Sequence, residues 1–301
     1  MAGSLGIVIT TFNRAPLVRR AIESVLGQDD QKLDLVIVDD GSDDDVEGAL
    51  AGLPLVRVLR QPNLGVSAAR NHGLRECRAD WVLIFDDDDV LVPGALATVR
   101  AGLATLSEAE RCPVVMFASS NSSQEAAFAR LDAADLLEGR NRGDLIPVIQ
   151  RDVFLGDGLA YPDTRVGGEH LLWIDVAQRY GIPAWDTVIV QVLRDPRVER
   201  LTSAVTQVRR AREHALVQEE TLARFGELFR KSHPREYVRR RLGAATYRLL
   251  AGDRGEARRH LRASGLPRRD PRRLALTLLT HAPAGLTRRT FILFRRVRHR
   301  I

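Results

Sequence analysis

Asp86-Asp87-Asp88-Asp89 follows directly on the apolar run Trp81-Val82-Leu83-Ile84-Phe85. Four adjacent carboxylates repel one another strongly unless a cation sits among them. Oxygen-only ligands suit a hard ion, Mg²⁺ or Mn²⁺, which is usually shared with the phosphates of a substrate. Asp39-Asp40-Gly41-Ser42 closes the run Leu35-Val36-Ile37-Val38 in the same way, and Thr10-Thr11 closes Gly6-Ile7-Val8-Ile9. An isolated acidic run is more often a solvated turn. Here the polar groups recur wherever an apolar run ends, and that placement favours chemistry.

The elements that must hold these groups follow from periodicity. Short apolar runs separated by helical patterns read as βαβ units around a parallel sheet. In open sheets of this kind ligands bind outside the carboxyl ends of the strands, so Thr10, Asp40, Asp86 and Asp88 are expected to converge on one crevice. Leu17, Val18, Ala21, Ile22, Val25 and Leu26 form a helical apolar face. Strands are predicted at 35–38, 55–59, 81–85, 114–118 and 187–193, and helices at 66–77, 96–106 and 169–180. Residues 119–145 read as a mobile loop with one short helix around Glu125–Leu137. Beyond Arg194 helices are predicted over 203–230, 234–251, 254–263 and 270–281; residues 244–263 look like one helical hairpin, too few for a repeat array.

The formal net charge of +6 hides a division: residues 1–193 carry 17 Lys+Arg and 29 Asp+Glu, residues 194–301 carry 28 and 10, giving −12 and +18. Such asymmetry predicts two regions with different partners. Cys77 and Cys112 lack metal-ligand spacing and read as buried free thiols in a reducing compartment. The opening residues read as a strand rather than a secretory signal, and Leu274–Leu286 is too short to span a bilayer. A soluble or peripheral, cytoplasmic protein is expected.

In order, Val8-Ile9-Thr10-Thr11-Phe12-Asn13-Arg14, Val38-Asp39-Asp40-Gly41-Ser42, Asn63-Leu64-Gly65-Val66-Ser67-Ala68-Ala69-Arg70-Asn71 and Phe85-Asp86-Asp87-Asp88-Asp89 resemble the motifs of family 2 glycosyltransferases. These are inverting enzymes of GT-A fold, and the resemblance is firm over about residues 5–120. It implies an α/β fold, a Rossmann-like mostly parallel sheet flanked by helices, over residues 1–195. That region divides into a nucleotide-sugar half to about 120 and an acceptor half over 121–195, and a basic helical annex occupies 196–301. It implies a UDP-, GDP- or dTDP-sugar donor, Mg²⁺ or Mn²⁺ as cofactor, and a hydroxyl acceptor, lipid-linked or polysaccharide, in envelope or other glycan biosynthesis. By similarity Thr10 and Asp40 contact the nucleoside, Arg70 the pyrophosphate, and Asp86 and Asp88 form the DxD pair, with Asp88 the direct metal ligand and Asp86 contacting the ribose or metal-bound water. Asp87 and Asp89 read as turn or supporting groups. Capping the turn at Gly41-Ser42 is the alternative role for Asp40.

Inverting transfer requires a base for the acceptor hydroxyl. The family places an Asp after a Glu at a helix start, but here the stretch reads Gly168-Glu169-His170-Leu171. Glu169 and His170 are joint candidates, and adjacent helix positions point about 100° apart. Trp173 and Trp185 are candidates for sugar stacking or, more commonly, for the core, and Arg151, Asp163 and Arg165 for acceptor contacts. In the tail, Phe291-Ile292-Leu293-Phe294 lies between Arg288-Arg289 and Arg295-Arg296, a pattern suited to an anionic membrane surface or to a solvated basic face. Few aromatics and no recognisable module argue against nucleic acid. The rival functions are a non-catalytic nucleotide-sugar-binding scaffold and a nucleotidyltransferase, which should carry a glycine-rich loop after its first strand where this chain has Thr10–Arg14.

Overall fold

The computed structural model describes residues 3–30, 32–54, 56–107, 112–122, 127–138, 143–193 and 203–298. The chain forms two compact units, Met1–Asp195 and Pro196–Ile301. The first runs β1 (Leu5–Thr11), α1 (Ala15–Leu26), β2 (Leu33–Asp39), α2 (Val46–Leu50), β3 (Val56–Arg60), α3 (Val66–Glu76), β4 (Trp81–Asp86), β5 (Val90–Leu91) and α4 (Ala95–Ala104). It continues with β6 (Val114–Ser119), β7 (Phe128–Leu131), α5 (Ala133–Glu138), β8 (Leu145–Gln150), α6 (Arg151–Gly156), α7 (Glu169–Tyr180) and β9 (Ile182–Gln191).

Among the described residues these strands form one nine-stranded sheet in the order β3-β2-β1-β4-β8-β6-β9-β5, with β7 paired to β9. The first half is parallel: β1 pairs with β2 and β4, and β2 with β3. Every residue of β1 is buried, as expected of a strand covered on both faces. Alternation along it feeds two cores: Ile7 and Ile9 join Val18, Ile22 and Leu96 on one face, and Val8 joins Val38, Ala69 and Leu74 on the other. Helix α3 rides close over β1 because Gly73 faces it. A Cβ there would lie 2.3 Å from Val8 Cγ1. The register sets Thr10 opposite both Val38 and Asp86, and Thr11 opposite Asp39, so the polar strand ends line up along one edge.

The second half of the sheet mixes directions. Strand β8 runs antiparallel between β4 and β6, in a stretch where no strand was expected. Its Pro147, paired opposite Met116, lacks a backbone donor and disguises an interior strand. The short helix expected around Glu125–Leu137 appears as α5 alone; Glu125 and Ala126 lie outside the described residues, as do Leu55 of the expected 55–59 strand and Arg194. Strand β9 starts five residues earlier than the expected 187, and its pairing with β6 shifts register around Ala118.

The second unit is helical: α8 (Ala204–Arg209), α9 (Ala211–Ser232), α10 (Pro234–Leu250), α11 (Arg254–Ala263), α12 (Pro271–Leu279) and α13 (Ala284–Arg298). The single helix expected over 203–230 is interrupted at Arg210, which leaves helical geometry with φ −104° and ψ 28°. Among the described residues no helix is long and apolar enough to cross a membrane.

Candidate active site

The loops after β1 and β2 are tied to each other. Asn13 adopts φ 54°, a left-handed conformation that asparagine tolerates better than most residues. From there its N–H donates to Ser42 Oγ at 2.9 Å, and its Oδ1 accepts from the Asp43 N–H at 2.6 Å. Asp44 accepts from the Ala15 N–H at 2.7 Å, placing a carboxylate at the positive end of α1. The turn-capping duty considered for Asp40 belongs to Asp39, which accepts from the Ser42 N–H at 2.8 Å and pairs with Arg60 at 3.2 Å. Asp40 is also buried, but reaches the next loop: it accepts from Gln61 Nε2 and from the N–H groups of Leu64 and Gly65.

Within the acidic run the four carboxylates separate. Asp87 is buried, accepts from Thr11 Oγ1 at 2.8 Å and pairs with Arg14 at 2.9 Å. Burial pushes it up to about 6 despite those partners, which pull the other way. Asp88 lies 3.6 Å from the same Arg14. Asp89, also buried, accepts from the Leu193 N–H at 2.9 Å. Asp86, Asp88 and Asp89 each offer a carboxylate oxygen, all within 4.8 Å of one another. An oxygen-only set of this spacing fits a hard divalent ion. Asp89, read from sequence as a supporting group, stands among those three.

Arg70 joins two elements distant in sequence. Its guanidinium donates to Asp86 at 2.7 Å and to Glu169 at 2.9 Å, and lies 5.3 Å from the centre of the Tyr161 ring. Burial alone would lower its pKa, but Asp86, Tyr161 and Glu169 together raise it, so it stays a fixed cation. Asn71, one position on, brackets Tyr161 by donating to its C=O and accepting from its N–H, both at 2.9 Å. The buried Arg70 Nε and Tyr161 Oη have no hydrogen-bond partner among the described residues. Glu169 reaches Arg70 because Gly167 (φ 88°) and Gly168 (φ 112°) turn the chain sharply into α7, whose first residue it is.

Of the sequence-derived candidates, Arg70, Asp86 and Glu169 are in direct contact, Asp88 sits with Asp86 in the acidic set, and Thr10 is buried opposite Asp86. Asp40 lies at the end of the neighbouring strand, and His170 is half-buried one position past Glu169. Trp173 meets Tyr161 edge-on at 5.6 Å, and Trp185 stacks on Phe117 at 4.9 Å; both pack against the cores. Arg151 secures the end of α3 through the Leu74 and Arg75 carbonyls, and Arg165 donates to the Asn63 carbonyl. Sequence reasoning missed Tyr161, Gln61 and Arg14 as site residues. Arg14 and Gln61 stand in or beside the motifs and could have been flagged; Tyr161 carries no local signal.

This arrangement is that of a GT-A glycosyltransferase fold. The first 349 residues of S. aureus TarS in complex with UDP-GlcNAc superpose with a TM-score of 0.56 at 12% identity, covering 87% of this chain and 90% of that one. The mannosyltransferase PcManGT from Pyrobaculum calidifontis, in complex with GDP-Man and Mn²⁺, gives 0.57 at 16% identity over 98% and 88%. Residues 6–110 match glycosyl transferase family 2. An uncharacterized glycosyltransferase of Bacillus subtilis, YwdF, is 28% identical over 66% of this chain and 72% of its own length. The GalNAc(5)-diNAcBac-PP-undecaprenol beta-1,3-glucosyltransferase of Campylobacter jejuni is 25% identical over 57% of this chain, and the match spans 59% of that enzyme.

Proposed function

We propose that the protein transfers a sugar, with inversion, from a nucleotide-sugar donor to a hydroxyl acceptor in envelope or other glycan biosynthesis. The observation that carries this reading is Arg70 held between Asp86 and Glu169, a cation linking the acidic strand end to the start of α7. Thr10 and Asp40 would receive the nucleoside, Arg70 the pyrophosphate, and Asp86 and Asp88, with Asp89 beside them, Mg²⁺ or Mn²⁺. A divalent ion bound there would stabilise the charge that builds on the departing nucleoside diphosphate. The chain's own part is to supply a fixed cation where that charge develops, which stabilises the transition state more than the ground state.

Arg70 also supports a division of labour between Glu169 and His170. When phosphate oxygens take over Arg70, the Glu169 carboxylate loses its counter-ion and can accept the proton of the attacking hydroxyl. That favours Glu169 as the base, with His170 turned toward the acceptor side. The Campylobacter relative is named for an undecaprenol-linked acceptor. A lipid-linked or polysaccharide acceptor is proposed here, with the basic second unit on the inner face of an anionic membrane.

A panel of UDP-, GDP- and dTDP-sugars with Mn²⁺, read by thermal shift and by slow donor hydrolysis, tests this. Binding with hydrolysis is expected. Glu169→Gln should cut turnover by about 10²–10⁴-fold with donor affinity retained, and His170→Asn by less. Equal losses would leave the base unassigned to Glu169, and no nucleotide binding at all would favour a scaffold.

A further inference from the structure

Arg20, Ser24 and Gln28 recur at every fourth position along α1 and just past its end, a spacing that lines up one face of a helix. Each meets the backbone at or just beyond the end of the acidic run. Arg20 Nη2 donates to the Asp88 C=O at 2.8 Å, Ser24 Oγ accepts from the Leu91 N–H at 3.0 Å, and Gln28 Nε2 donates to the Val92 C=O at 3.1 Å. The three side chains are themselves tied down: Ser24 Oγ donates to the Ala21 C=O at 2.7 Å, and Gln28 Nε2 to the Ser24 C=O at 3.2 Å. From 20 to 28 a helix advances about 12 Å, and from 88 to 92 an extended chain advances about 13 Å. The two segments can therefore run side by side.

The segment needs such support. Strand β5 stands last in the sheet order and, among the described residues, pairs only with β9. An edge strand leaves backbone groups that no neighbouring strand satisfies, and here the α1 side chains take them. The Asp88 C=O belongs to the peptide unit that joins Asp88 to Asp89, two of the three residues whose carboxylate oxygens lie within 4.8 Å of one another. That unit is planar. Anchoring it constrains the directions in which both side chains leave the chain.

We infer that Arg20, Ser24 and Gln28 are positioning residues for the acidic run, and that by holding residues 88–92 rigid they suit it to a small divalent ion over a larger one. Mg²⁺ demands short bonds in near-ideal octahedral geometry, whereas Ca²⁺ accepts longer and more variable ones. A rigid set of carboxylates keeps the narrower spacing, and a loosened set relaxes toward the wider. The three side chains act through the backbone they hold. Arg20 cannot help by charge, because a cation beside the run opposes a second cation. The inference rests on the assignment of a divalent ion to Asp86, Asp88 and Asp89 proposed above.

Mn²⁺, smaller than Ca²⁺ and suited to the same oxygen ligands, is the probe. Its binding to the full chain is read as loss of the free-ion paramagnetic resonance signal, with Ca²⁺ as the displacing ion. Asp88→Ala identifies the part of the signal that belongs to the acidic run. Arg20→Met, which keeps an unbranched stem and loses the donor, should weaken Mn²⁺ binding about tenfold, and Gln28→Met should do the same. Ca²⁺ should change little, so the preference for Mn²⁺ shrinks by about the same factor. Arg20→Lys restores a donor and should recover part of that preference. Charge alone makes the opposite prediction for Arg20→Met: both ions bind more tightly and their ratio holds. That result, or a ratio unmoved by both substitutions, overturns the inference and leaves the metal assignment intact. If Arg20→Met lowers the melting temperature, Gln28→Met serves as the readout. A wild type that takes up no Mn²⁺, or none sensitive to Asp88→Ala, overturns the metal assignment, and the inference falls with it.

Discussion

In the first unit carboxylates gather at open strand ends, with Asp86 about half exposed and Asp88 and Asp89 within reach of it. In the second they are neutralised internally. Glu219 takes Arg248 at 2.7 and 2.5 Å and His260 at 2.9 Å, while Glu236 takes Arg239 and Arg240. After Asp270 the chain has no acidic residue but eight arginines. Leu274, Leu278, Leu286, Leu293 and Phe294 are exposed on α12 and α13. Charge of opposite sign therefore accumulates in the two units. In the first it gathers where the proposed cation and diphosphate would sit. In the second it accompanies apolar side chains on a helical surface, the combination that binds anionic lipid.

The sharpest way to break this contrast is Asp88→Ala. Transfer with Mn²⁺ should fall by about 10²-fold or more, and Mn²⁺-dependent UDP affinity should vanish in calorimetry. Unchanged metal dependence would remove the ligand role given to the acidic run.

For the second unit, replacing both Arg288 and Arg289 with Glu should weaken co-sedimentation with phosphatidylglycerol vesicles roughly tenfold or more at low salt, since each basic residue near such a surface contributes about 1 kcal/mol. Phosphatidylcholine vesicles should bind neither protein. A variant that sediments like the wild type would sink the membrane proposal.

The units should also differ in how they tolerate a methyl group. Gly73→Ala drives a Cβ into buried Val8 and should lower stability by about 1–3 kcal/mol. Gly243→Ala, whose Cβ would meet only Gln218 at 3.5 Å, should gain about 0.5–1 kcal/mol, the usual helix-interior benefit. Chemical denaturation of the two variants compares them directly.

The smallest effect is in pH dependence, where the signs oppose. His214, stacked on Tyr247 at 4.8 Å, is pushed down to about 4 by burial and by Arg210 and Arg295. Its unfolded value is about 6.5, so the unfolded chain takes up the proton first. Stability is therefore lost as pH falls from about 6.5 toward 4. Asp87, raised by burial to about 6, takes its proton first in the folded state and resists acidification over about pH 6 to 4. His214→Leu should remove a loss on the order of 1 kcal/mol at pH 4.5 after solvent screening. Melting temperatures at pH 4.5 and 7 that drop equally in wild type and variant would contradict this.

Much of the first unit was legible in the chain itself. Strands β1, β2 and β4 announce themselves as apolar runs stopped by polar residues, and their parallel register brings Thr10, Asp40 and Asp86 to one edge by topology alone. The helical character of the second unit and its basic excess were equally plain, because apolar spacing and charge are local properties. Strand β8 was hidden because Pro147 breaks its pattern, and β7 because only four residues carry it.

Other features required the fold. From sequence Asp40 had two candidate duties, nucleoside contact and turn cap; packing gives the cap to Asp39, while the Asp40 carboxylate accepts from the loop that Gly41 and Gly65 allow to approach. Only the resemblance set Asp86 and Asp88 apart from Asp87 and Asp89, four residues of one chemical type. The alternation of a turning backbone buried Asp87 against Thr11 and Arg14 and left Asp86 facing Arg70. Tyr161 and Glu169 enter the site only because Asn71 and two left-handed glycines place them there, across about ninety residues of chain. Local pattern determines which residues are available for chemistry. Long-range packing decides which lone pairs remain unfilled, because that depends on neighbours no local window contains.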